Sequence, residues 1–570
     1  MVVFATYIPF SEINENKPST IEEFHKAIAA FPRTRMLHIC SAMNALLRSE
    51  DQPVNIAAHD SLVRNLFDDA TAASLLQPRE EVRYVFHRQQ ILFIAKTVIL
   101  YCADDDQTIA PAQFKELGKV FLMAGDHLGT PPKKPEAIPD KFAYFASTLL
   151  PVQEASGFHR FDYKMARSFM MLHHSAPQLR DRRPRYWDIP ALFEQTCGLP
   201  LLTFQSLLFG ALTKFVKFDP KAYMDDPRSY GLDRGWFRST NVRPELIETF
   251  LDCVSNTPEL FKGSFEKADW GASDFTPFRD RPLFKDGDYY FLIDFAFLAE
   301  KFETGPFWTV HNTLKTNAEK IDLHSFWGEV FERYSNDVLK TASDKAVNAV
   351  QDSPDFEDES KGQLCDAAVV CGTSAVFIEM KGATFTSRAK YGSDYHRLMA
   401  EVDAKLVQEP DGVAKAVYQL KRAVELAFDP SAPEKVKGLD LRLVDTVYAL
   451  VVTRDDIGSV FAMNGYLQVK FSAAMNDTDA SVRVTPLFCM NAEDFERLCA
   501  YLGDTALADL LHAHYRACRE RGDYLMTSYF ATDGNKILKR LGLRQAKVSL
   551  GAWSRLAEIA VQHLGLKTEP

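Results

Sequence analysis

Residues 365–381 constrain the fold of this chain more than any other stretch of the sequence. Two apolar runs, 367–370 and 375–378, are rich in β-branched and aromatic residues, and a Gly-Thr-Ser turn signal separates them. The pattern predicts a β-hairpin. Its first strand follows Asp366, and its second strand ends in Glu379-Met380-Lys381.

The charged residues of this hairpin are expected to converge. Side chains alternate along a strand, so Glu379 and Lys381 share one face. Asp366, at the start of the adjacent strand, can approach the same face. Two carboxylates would then offer oxygen ligands to a divalent cation, and Lys381 would place an amine beside it. This arrangement is typical of a metal-dependent phosphodiesterase site.

The composition indicates a globular protein with several structural units. At 570 residues the chain is too long for one ordinary core, and two to four units are expected. The net charge of −11 argues against a protein that coats nucleic acid by bulk electrostatics, although a nuclease needs only a local basic surface. Nine cysteines without a C-x-x-C pair indicate reduced thiols in a cytoplasm.

The sequence predicts a cytoplasmic protein with no membrane segment. The N-terminus lacks the basic region and the long apolar core of a signal peptide. The longest uncharged run, 195–213, contains Gly198, Pro200 and Gly210. We therefore expect a buried helix there rather than a membrane span.

Four regions follow along the chain. Residues 1–275 show mainly helical patterns, including a long one at 81–102, and the proline-rich stretch 131–139 predicts a loop. Residues 276–319 predict a short hairpin and a connecting helix. The hairpin of residues 365–381 lies in the third region, 320–500, and a helical segment, 501–570, closes the chain.

The elements around the central hairpin predict an α/β core. Residues 325–339 form an amphipathic pattern, in which Glu332 lies within or beside the apolar stripe. Residues 413–428 predict a second helix, and 443–453 a fully buried strand. A further strand is expected at 482–488. The order helix, hairpin, helix, strand is that of an α/β fold.

The acid-x-Lys pattern has little value without its context. It also occurs as Asp219-Pro-Lys221, Glu359-Ser-Lys361 and Asp403-Ala-Lys405. The first contains a proline, the second lies in an acidic loop, and the third lies in a predicted helix. Only Glu379-Met-Lys381 ends an apolar strand and has an acid at the start of the preceding strand.

In these residues the chain resembles the PD-(D/E)XK nuclease superfamily, over roughly 320–500. The resemblance is carried by Gly328-x-x-Phe331-Glu332, Asp366, Glu379-Met-Lys381 and Gln419. Cys365 stands where the family name has proline, a position that varies in such enzymes. The resemblance implies a nuclease core, a mixed central sheet flanked by helices, between a large mainly α N-terminal region and a helical C-terminal tail. A nuclease joined to such a helical region also resembles prokaryotic anti-phage defence effectors.

The resemblance also implies a role for each residue. Asp366, Glu379 and the main-chain carbonyl of Met380 would bind Mg²⁺, with Mn²⁺ as a substitute. Lys381 would orient or help deprotonate the attacking water and stabilise developing negative charge. Glu332 would support the metal or hold a second ion, and Gln419 would position the lysine, a water or the phosphate. An ion pair on a solvated sheet face is the alternative for the hairpin residues.

Nucleic-acid contacts are expected in the segment 382–422. It holds seven basic residues against five acidic ones, and we assign Arg388, Lys390, Lys421 and Arg422 to phosphate binding. The stretch 180–187 (RDRRPRYW) is also basic, and it either contacts a phosphate backbone or pairs with nearby acids.

The leading hypothesis is a Mg²⁺-dependent nuclease that cleaves DNA in preference to RNA. Residues 1–275 would recognise a substrate or a protein partner, or hold the nuclease in check. Two alternatives stay open: a ribonuclease effector, and a catalytically inactive protein that uses a nuclease fold for binding or assembly. The sequence also leaves the oligomeric state open.

Overall fold

Helices make up most of the first half of the chain, as its sequence predicts. The computed structural model describes residues 6–48, 54–77, 83–104, 109–110, 113–128, 140–156, 161–238, 240–265, 271–392, 394–521, 540–541, 544 and 547–565, so the predicted loop at 131–139 lies outside the described residues. The helices of the first half are α1 (Ile21–Ile28), α2 (Arg33–Leu47), α3 (Ile56–Leu66), α4 (Asp69–Leu75), α5 (Arg88–Tyr101), α6 (Gln113–Asp126), α7 (Lys141–Ser156), α8 (Phe161–Met170), α9 (Ile189–Cys197), α10 (Leu201–Phe215), α11 (Pro220–Asp225), α12 (Pro244–Val254) and α13 (Pro258–Phe265).

The second half mixes helices with most of the strands. Its helices are α14 (Thr276–Asp280), α15 (Phe295–Thr313), α16 (Asn317–Ala342), α17 (Ser387–Tyr391), α18 (Tyr395–Val402), α19 (Ala416–Ala427), α20 (Met463–Met475), α21 (Ala492–Cys499), α22 (Leu507–Arg521) and α23 (Lys547–Leu564). The strands of the whole chain are β1 (Thr6–Tyr7), β2 (Arg83–Tyr84), β3 (Gly231–Asp233), β4 (Ser255–Asn256), β5 (Leu283–Asp286), β6 (Tyr289–Leu292), β7 (Ala349–Asp352), β8 (Ala367–Cys371), β9 (Ser374–Lys381), β10 (Thr446–Thr453), β11 (Arg483–Val484) and β12 (Phe488–Asn491). The protein therefore has a mixed α/β fold.

Two sequence patterns differ from the structure in their limits. The helical pattern at 81–102 gives a helix only from Arg88, because His87 is extended and its side chain accepts the Gln90 N–H as an N-cap. The pattern at 482–488 gives two short strands instead of one. Pro486, which has no N–H to donate, lies between them.

A small sheet joins the predicted first and second regions. Its strand order is β3-β6-β5-β4. The predicted hairpin at 283–292 forms its centre, and β3 and β4, both from before residue 275, pair with the two outer sides of that hairpin. The boundary expected at residue 276 thus lies inside a hydrogen-bonded sheet, which sequence patterns alone do not reveal.

The central sheet is mixed and is built around the predicted hairpin. Its order is β7-β8-β9-β10, and both β11 and β12 pair with the far side of β10. Strands β7, β8 and β9 are antiparallel, whereas β9 and β10 are parallel over their full lengths. All eight residues of β10 are buried, as its uniform apolar sequence predicts.

The two faces of this sheet pack against different helices. Val376, Ile378 and Met380 of β9 belong to a core that includes Val330 and Phe331 of α16. The alternate residues of β9 belong to a second core formed with α19 and α20, whose members from these three elements include Ala375, Phe377, Val417, Leu420 and Leu467. Helices therefore flank the sheet on both faces.

The helical C-terminal segment packs back onto the first half of the chain. Helix α23 lies against α8 and α10, and Leu564 contacts the position where a side chain at Gly210 would begin. Within the described residues, no single helix is long and apolar enough to cross a membrane. Helices α9 and α10 meet the length and composition criteria only as a pair, and they are bent by 76° relative to one another.

Gly382 allows α16 to pack tightly against the end of β9. A Cβ atom added at Gly382 would lie 2.7 Å from the Cα of Gly328 and 3.2 Å from the Cβ of Phe331. A side chain at Gly382 would thus force the helix away from the strand that carries Glu379 and Lys381.

We expect Gly382→Ala to lower the free energy of unfolding by about 2 kcal/mol, because the overlap is with backbone rather than with a flexible side chain. Gly328→Ala is the matched control. A Cβ added there meets nothing within 4 Å, and helix propensity favours alanine by up to about 1 kcal/mol. Urea denaturation of both variants measures the difference, and equal midpoints would contradict the close packing.

Candidate active site

The end of β9 places two charged side chains in a mostly apolar environment. Glu379 and Lys381 alternate with Ala375 and Phe377, so they lie on the α19 face of the sheet. Glu379 is 2% exposed, and the side chain of Lys381 is 16% exposed. The structure thus bears out their shared face and adds that this face is buried.

Asp366 converges on the same point, as its position before β8 predicts. Its Oδ2 accepts the main-chain N–H of Met380 at 2.7 Å. The Lys381 Nζ lies 3.4 Å from that oxygen and 2.5 Å from Oε2 of Glu379. One ammonium therefore bridges two carboxylates that belong to neighbouring strands.

The charges of this cluster are not balanced. The pKa of Glu379 is raised to about 8, because burial and the Asp366 carboxylate together outweigh the opposing effect of the Lys381 ammonium. The pKa of Lys381 is raised, because Glu379 and Asp366 together outweigh the effect of burial. The lysine therefore stays protonated at neutral pH, whereas Glu379 becomes fully ionised only at higher pH.

Glu332 of α16 adds a third carboxylate. Burial, together with the Asp366 carboxylate, raises its pKa to about 7. Its Oε1 accepts the Ser353 hydroxyl at 3.2 Å. The Ser353 N–H and the Asn336 amide both donate to the main-chain carbonyl of Asp366, at 3.0 and 3.1 Å, so α16 is attached to the start of β8. Glu332 thus belongs to the cluster, as its place on an apolar stripe suggested.

Gln419 lies on α19, the helix that packs against β9. Its Oε1 is buried, and no described residue donates a hydrogen bond to it. A buried acceptor without a donor costs about 1–3 kcal/mol. The structure thus shows an unsatisfied group on the helix beside the candidate site.

The donor set fits a hard divalent cation in kind. Asp366 and Glu379 supply carboxylate oxygens, and the Met380 carbonyl points to the same side of β9 as the Met380 N–H that Asp366 binds. Three carboxylates against one ammonium leave two negative charges when all are ionised. As placed, however, the carboxylates contact Lys381, and in the described part of the chain no group of three or more His, Cys, Asp or Glu is arranged to hold a metal ion.

The four residues expected to bind phosphate differ in their surroundings. Arg388 is exposed on α17. Lys390 is held between Glu154 and Asp455, and a phosphate would have to displace these carboxylates to reach it. Its assignment to phosphate binding stays a prediction.

Lys421 and Arg422 contact the protein itself. Lys421 forms an ion pair with Glu425 one helical turn later, and Arg422 donates to the main-chain carbonyls of Lys361 and Gln363. Both side chains would have to exchange these partners for a phosphate.

The basic stretch 180–187 pairs with acids of α16. Arg183 contacts Asp322 and Glu329 at 2.9 and 2.8 Å, and Trp187 Nε1 donates to Asp322 at 2.8 Å. Of the two interpretations of this stretch, the structure favours pairing with nearby acids.

The other acid-x-Lys sequences do not lie on strands. Asp219 caps a helix, Glu359–Lys361 forms a single 3₁₀ turn, and Asp403–Val407 forms a π-helical turn. Glu379-Met-Lys381 lies at the end of a strand, as the sequence analysis predicted.

Two contributors to the cluster were missed in the sequence. Asn336 follows Glu332 by one helical turn and interrupts the same apolar stripe, a pattern that could have identified it. Ser353 gave no such pattern. Its φ of +43° is unusual for a residue with a side chain, and this conformation lets it donate to both Glu332 and Asp366.

Comparisons of the chain with protein-family models, with curated proteins and with solved structures returned no match.

The raised pKa of Glu332 predicts a pH-dependent stability. Because this pKa rises from 4.5 to about 7 on folding, ionisation of Glu332 destabilises the folded protein as the pH rises through that interval. Glu332→Gln removes the ionisation. We expect the variant to match the wild type below the lower pKa and to be more stable by about 2 kcal/mol above the higher one, after allowance for its partial exposure.

Urea unfolding across this pH range measures the effect. Glu319→Gln, on the same helix, is a control of opposite sign: hydrogen bonds from Thr316 and Arg185 lower the pKa of Glu319, so its loss should destabilise the protein at neutral pH and not in acid. Parallel pH profiles for wild type and Glu332→Gln would contradict the clustering of charge at Glu332.

Proposed function

We propose that this protein is a metal-dependent nuclease that hydrolyses phosphodiester bonds, with DNA as the favoured substrate. The observation that carries the proposal is the convergence of Asp366 and Glu379 on Lys381 at the end of β9. The mixed sheet, with helices on both faces and the cluster along its hairpin, agrees with the architecture that the resemblance to PD-(D/E)XK nucleases implies.

Burial separates this cluster from an ordinary surface ion pair. A solvated pair is stabilising by about 0–1 kcal/mol and needs no special environment. Moving carboxylates into a protein interior costs several kcal/mol per ion, and one lysine offsets only part of this cost for three carboxylates. Such a cluster is a candidate for function rather than for stability.

Lys381, Glu332 and Gln419 would have different roles in phosphodiester hydrolysis. Lys381 acts as a permanent cation, because its carboxylate neighbours raise its pKa. It stabilises negative charge that develops on the phosphate and orients the attacking water, but it does not accept a proton. Glu332, with its pKa near 7, is suited to accept that proton at neutral pH. Gln419 offers an unsatisfied carbonyl oxygen to a water.

Asp366, Glu379 and the Met380 carbonyl would hold Mg²⁺ or Mn²⁺. A bound divalent cation would polarise the scissile phosphate and lower the pKa of a bound water. Its charge would match the two negative charges that the three carboxylates and Lys381 carry together when all are ionised. The helical first half would recognise the substrate or a protein partner.

Cleavage assays test the lysine. Wild-type protein should cleave linear, circular or single-stranded DNA in Mg²⁺ or Mn²⁺ and not in EDTA. Lys381→Met should lower the rate at least about a hundredfold, since it removes a charge that acts on the transition state. Lys361→Met, which alters the lysine of a neighbouring acid-x-Lys sequence, is the matched control and should cleave normally. Equal rates for wild type and Lys381→Met would exclude the mechanism, and cleavage of RNA alone would favour the ribonuclease alternative.

Metal binding tests the carboxylates without reference to cleavage. Mn²⁺ titration followed by electron paramagnetic resonance should show saturable binding to the wild type. Asp366→Asn and Glu379→Gln should each lower the affinity at least about tenfold, because each removes one charged ligand. Glu359→Gln, an exposed acid of the neighbouring acid-x-Lys sequence, should bind as the wild type does. Absence of binding to the wild type would favour an inactive protein with a nuclease-like sheet.

A further inference from the structure

A cavity of about 450 Å³ lies between the helical first half and the ends of β9 and β10. Its walls come from α7, α8, α14 and α15 and from the segments that follow the two strands, 384–391 and 454–456. This volume falls within the usual range of small-molecule sites, about 300–1,000 Å³.

Most of the charged groups that line the cavity neutralise one another. Six basic and six acidic residues take part. Lys164 contacts Asp456 at 3.0 Å, and Arg167 contacts Glu303 at 3.1 Å. Lys390 is held between Glu154 and Asp455. A charged side chain of the cavity that lacks such a close partner is available to a ligand.

Lys301 is such a group. It lines the cavity from α15, and it has no hydrogen bond or ion pair with any residue that the structure describes. Burial lowers the pKa of Lys301, and the nearby Asp280 carboxylate offsets only part of that effect. An anionic group of a ligand would supply the missing partner.

Arg454 is a second cation with spare donors. Its Nε donates to the carbonyl of Gly382 at 3.3 Å, and its terminal nitrogen lies 3.7 Å from Glu303, a carboxylate already bound by Arg167. A guanidinium has five N–H donors in a planar fork, which suits the oxygens of a phosphate. Burial lowers the pKa of Arg454, as it does for Lys301.

One face of α15 supplies an aromatic wall. Lys301, Thr304, Trp308 and Asn312 all line the cavity at spacings of three or four residues. The Trp308 ring packs edge-on against Phe307 and His311, with centroids 5.3 and 4.9 Å away. A nucleotide suits this combination, because its flat base can pack against an aromatic surface while its phosphate pairs with cations.

We propose that this cavity binds a phosphorylated nucleotide, with its phosphate at Lys301 and Arg454 and its base against Trp308. Asp280 lines the same cavity and, among the described residues, forms no hydrogen bond or close ion pair, although the Lys301 ammonium lowers its pKa against the effect of burial. Its carboxylate can accept hydrogen bonds from amino groups of a base or hydroxyl groups of a ribose.

The site is distinct from the carboxylate cluster, although one residue connects them. The main-chain N–H of Arg454 donates to the carbonyl of Lys381 at 3.0 Å. Lys381, Glu379 and Asp366 do not line the cavity. A nucleotide in the cavity would therefore bind beside the end of β9 without occupying the place of the scissile phosphate.

Isothermal titration calorimetry of the full chain in EDTA tests the proposal, because EDTA prevents metal-dependent cleavage and leaves the cavity unchanged. The probes are the four ribonucleoside triphosphates, the four monophosphates, adenosine and inorganic phosphate. We expect saturable binding of at least one nucleotide, weaker binding of inorganic phosphate and none of adenosine. Lys301→Met should weaken nucleotide binding at least about tenfold, the effect of removing one charge-assisted contact.

Two further variants separate the cavity from other surfaces. Trp308→Leu should weaken nucleotides but not inorganic phosphate. Lys315→Met, an exposed lysine just beyond α15 that does not line the cavity, should leave the affinity unchanged. Thermal unfolding confirms that each variant folds as the wild type does.

Three results would overturn the proposal. One is the absence of binding by every nucleotide at millimolar concentration. Another is an unchanged affinity in a folded Lys301→Met protein. The third is equal, Lys301-dependent affinity for nucleotides and inorganic phosphate, which would assign the cavity to a simple anion. None of these results depends on whether the protein cleaves DNA.

Discussion

The hydrogen bond from the Met380 N–H to Asp366 holds the candidate site together. A bond from a backbone amide to a carboxylate contributes about 1.5–3 kcal/mol, and this one fixes the acid of one strand beside the charged end of the next. The carbonyl of the same aspartate accepts donors from Ser353 and Asn336. Helix α16, the loop before β8 and strand β9 therefore meet at Asp366, and a change at any of them alters the placement of Lys381.

The two cores of the sheet explain why this arrangement is tolerated. Each strand of the hairpin sends alternate residues to α16 and to α19, so the sheet is anchored over most of its length by apolar contacts. Charged residues begin only where β9 ends, at Glu379. The large apolar interface offsets the cost of burying them.

The sequence predicted the parts of the fold that depend on local patterns. The hairpin, the buried strand at 443–453 and the helices on either side were visible in alternation and spacing, and context alone distinguished Glu379-Met-Lys381 from three similar sequences. What could not be predicted depends on long-range pairing. Strand β4 joins the hairpin at 283–292, and Glu154 buries Lys390, yet neither partner is near in sequence. Ser353 contributes through a backbone conformation that its residue type disfavours.

The carboxylate cluster and the neighbouring cavity, both near the end of β9, would bind ligands of opposite charge. At the Asp366–Glu379 cluster, three carboxylates share one lysine, and burial raises the pKa of Glu379 by more than that lysine lowers it. In the neighbouring cavity, burial lowers the pKa values of Lys301 and Arg454 by more than the nearby carboxylates raise them. The two groups of charges are connected through the hydrogen bond from the Arg454 N–H to the Lys381 carbonyl, and the carboxylates of the cluster do not line the cavity. A divalent cation would neutralise the first and a phosphate the second, which is why the two proposals require different ligands although they concern adjacent parts of one strand.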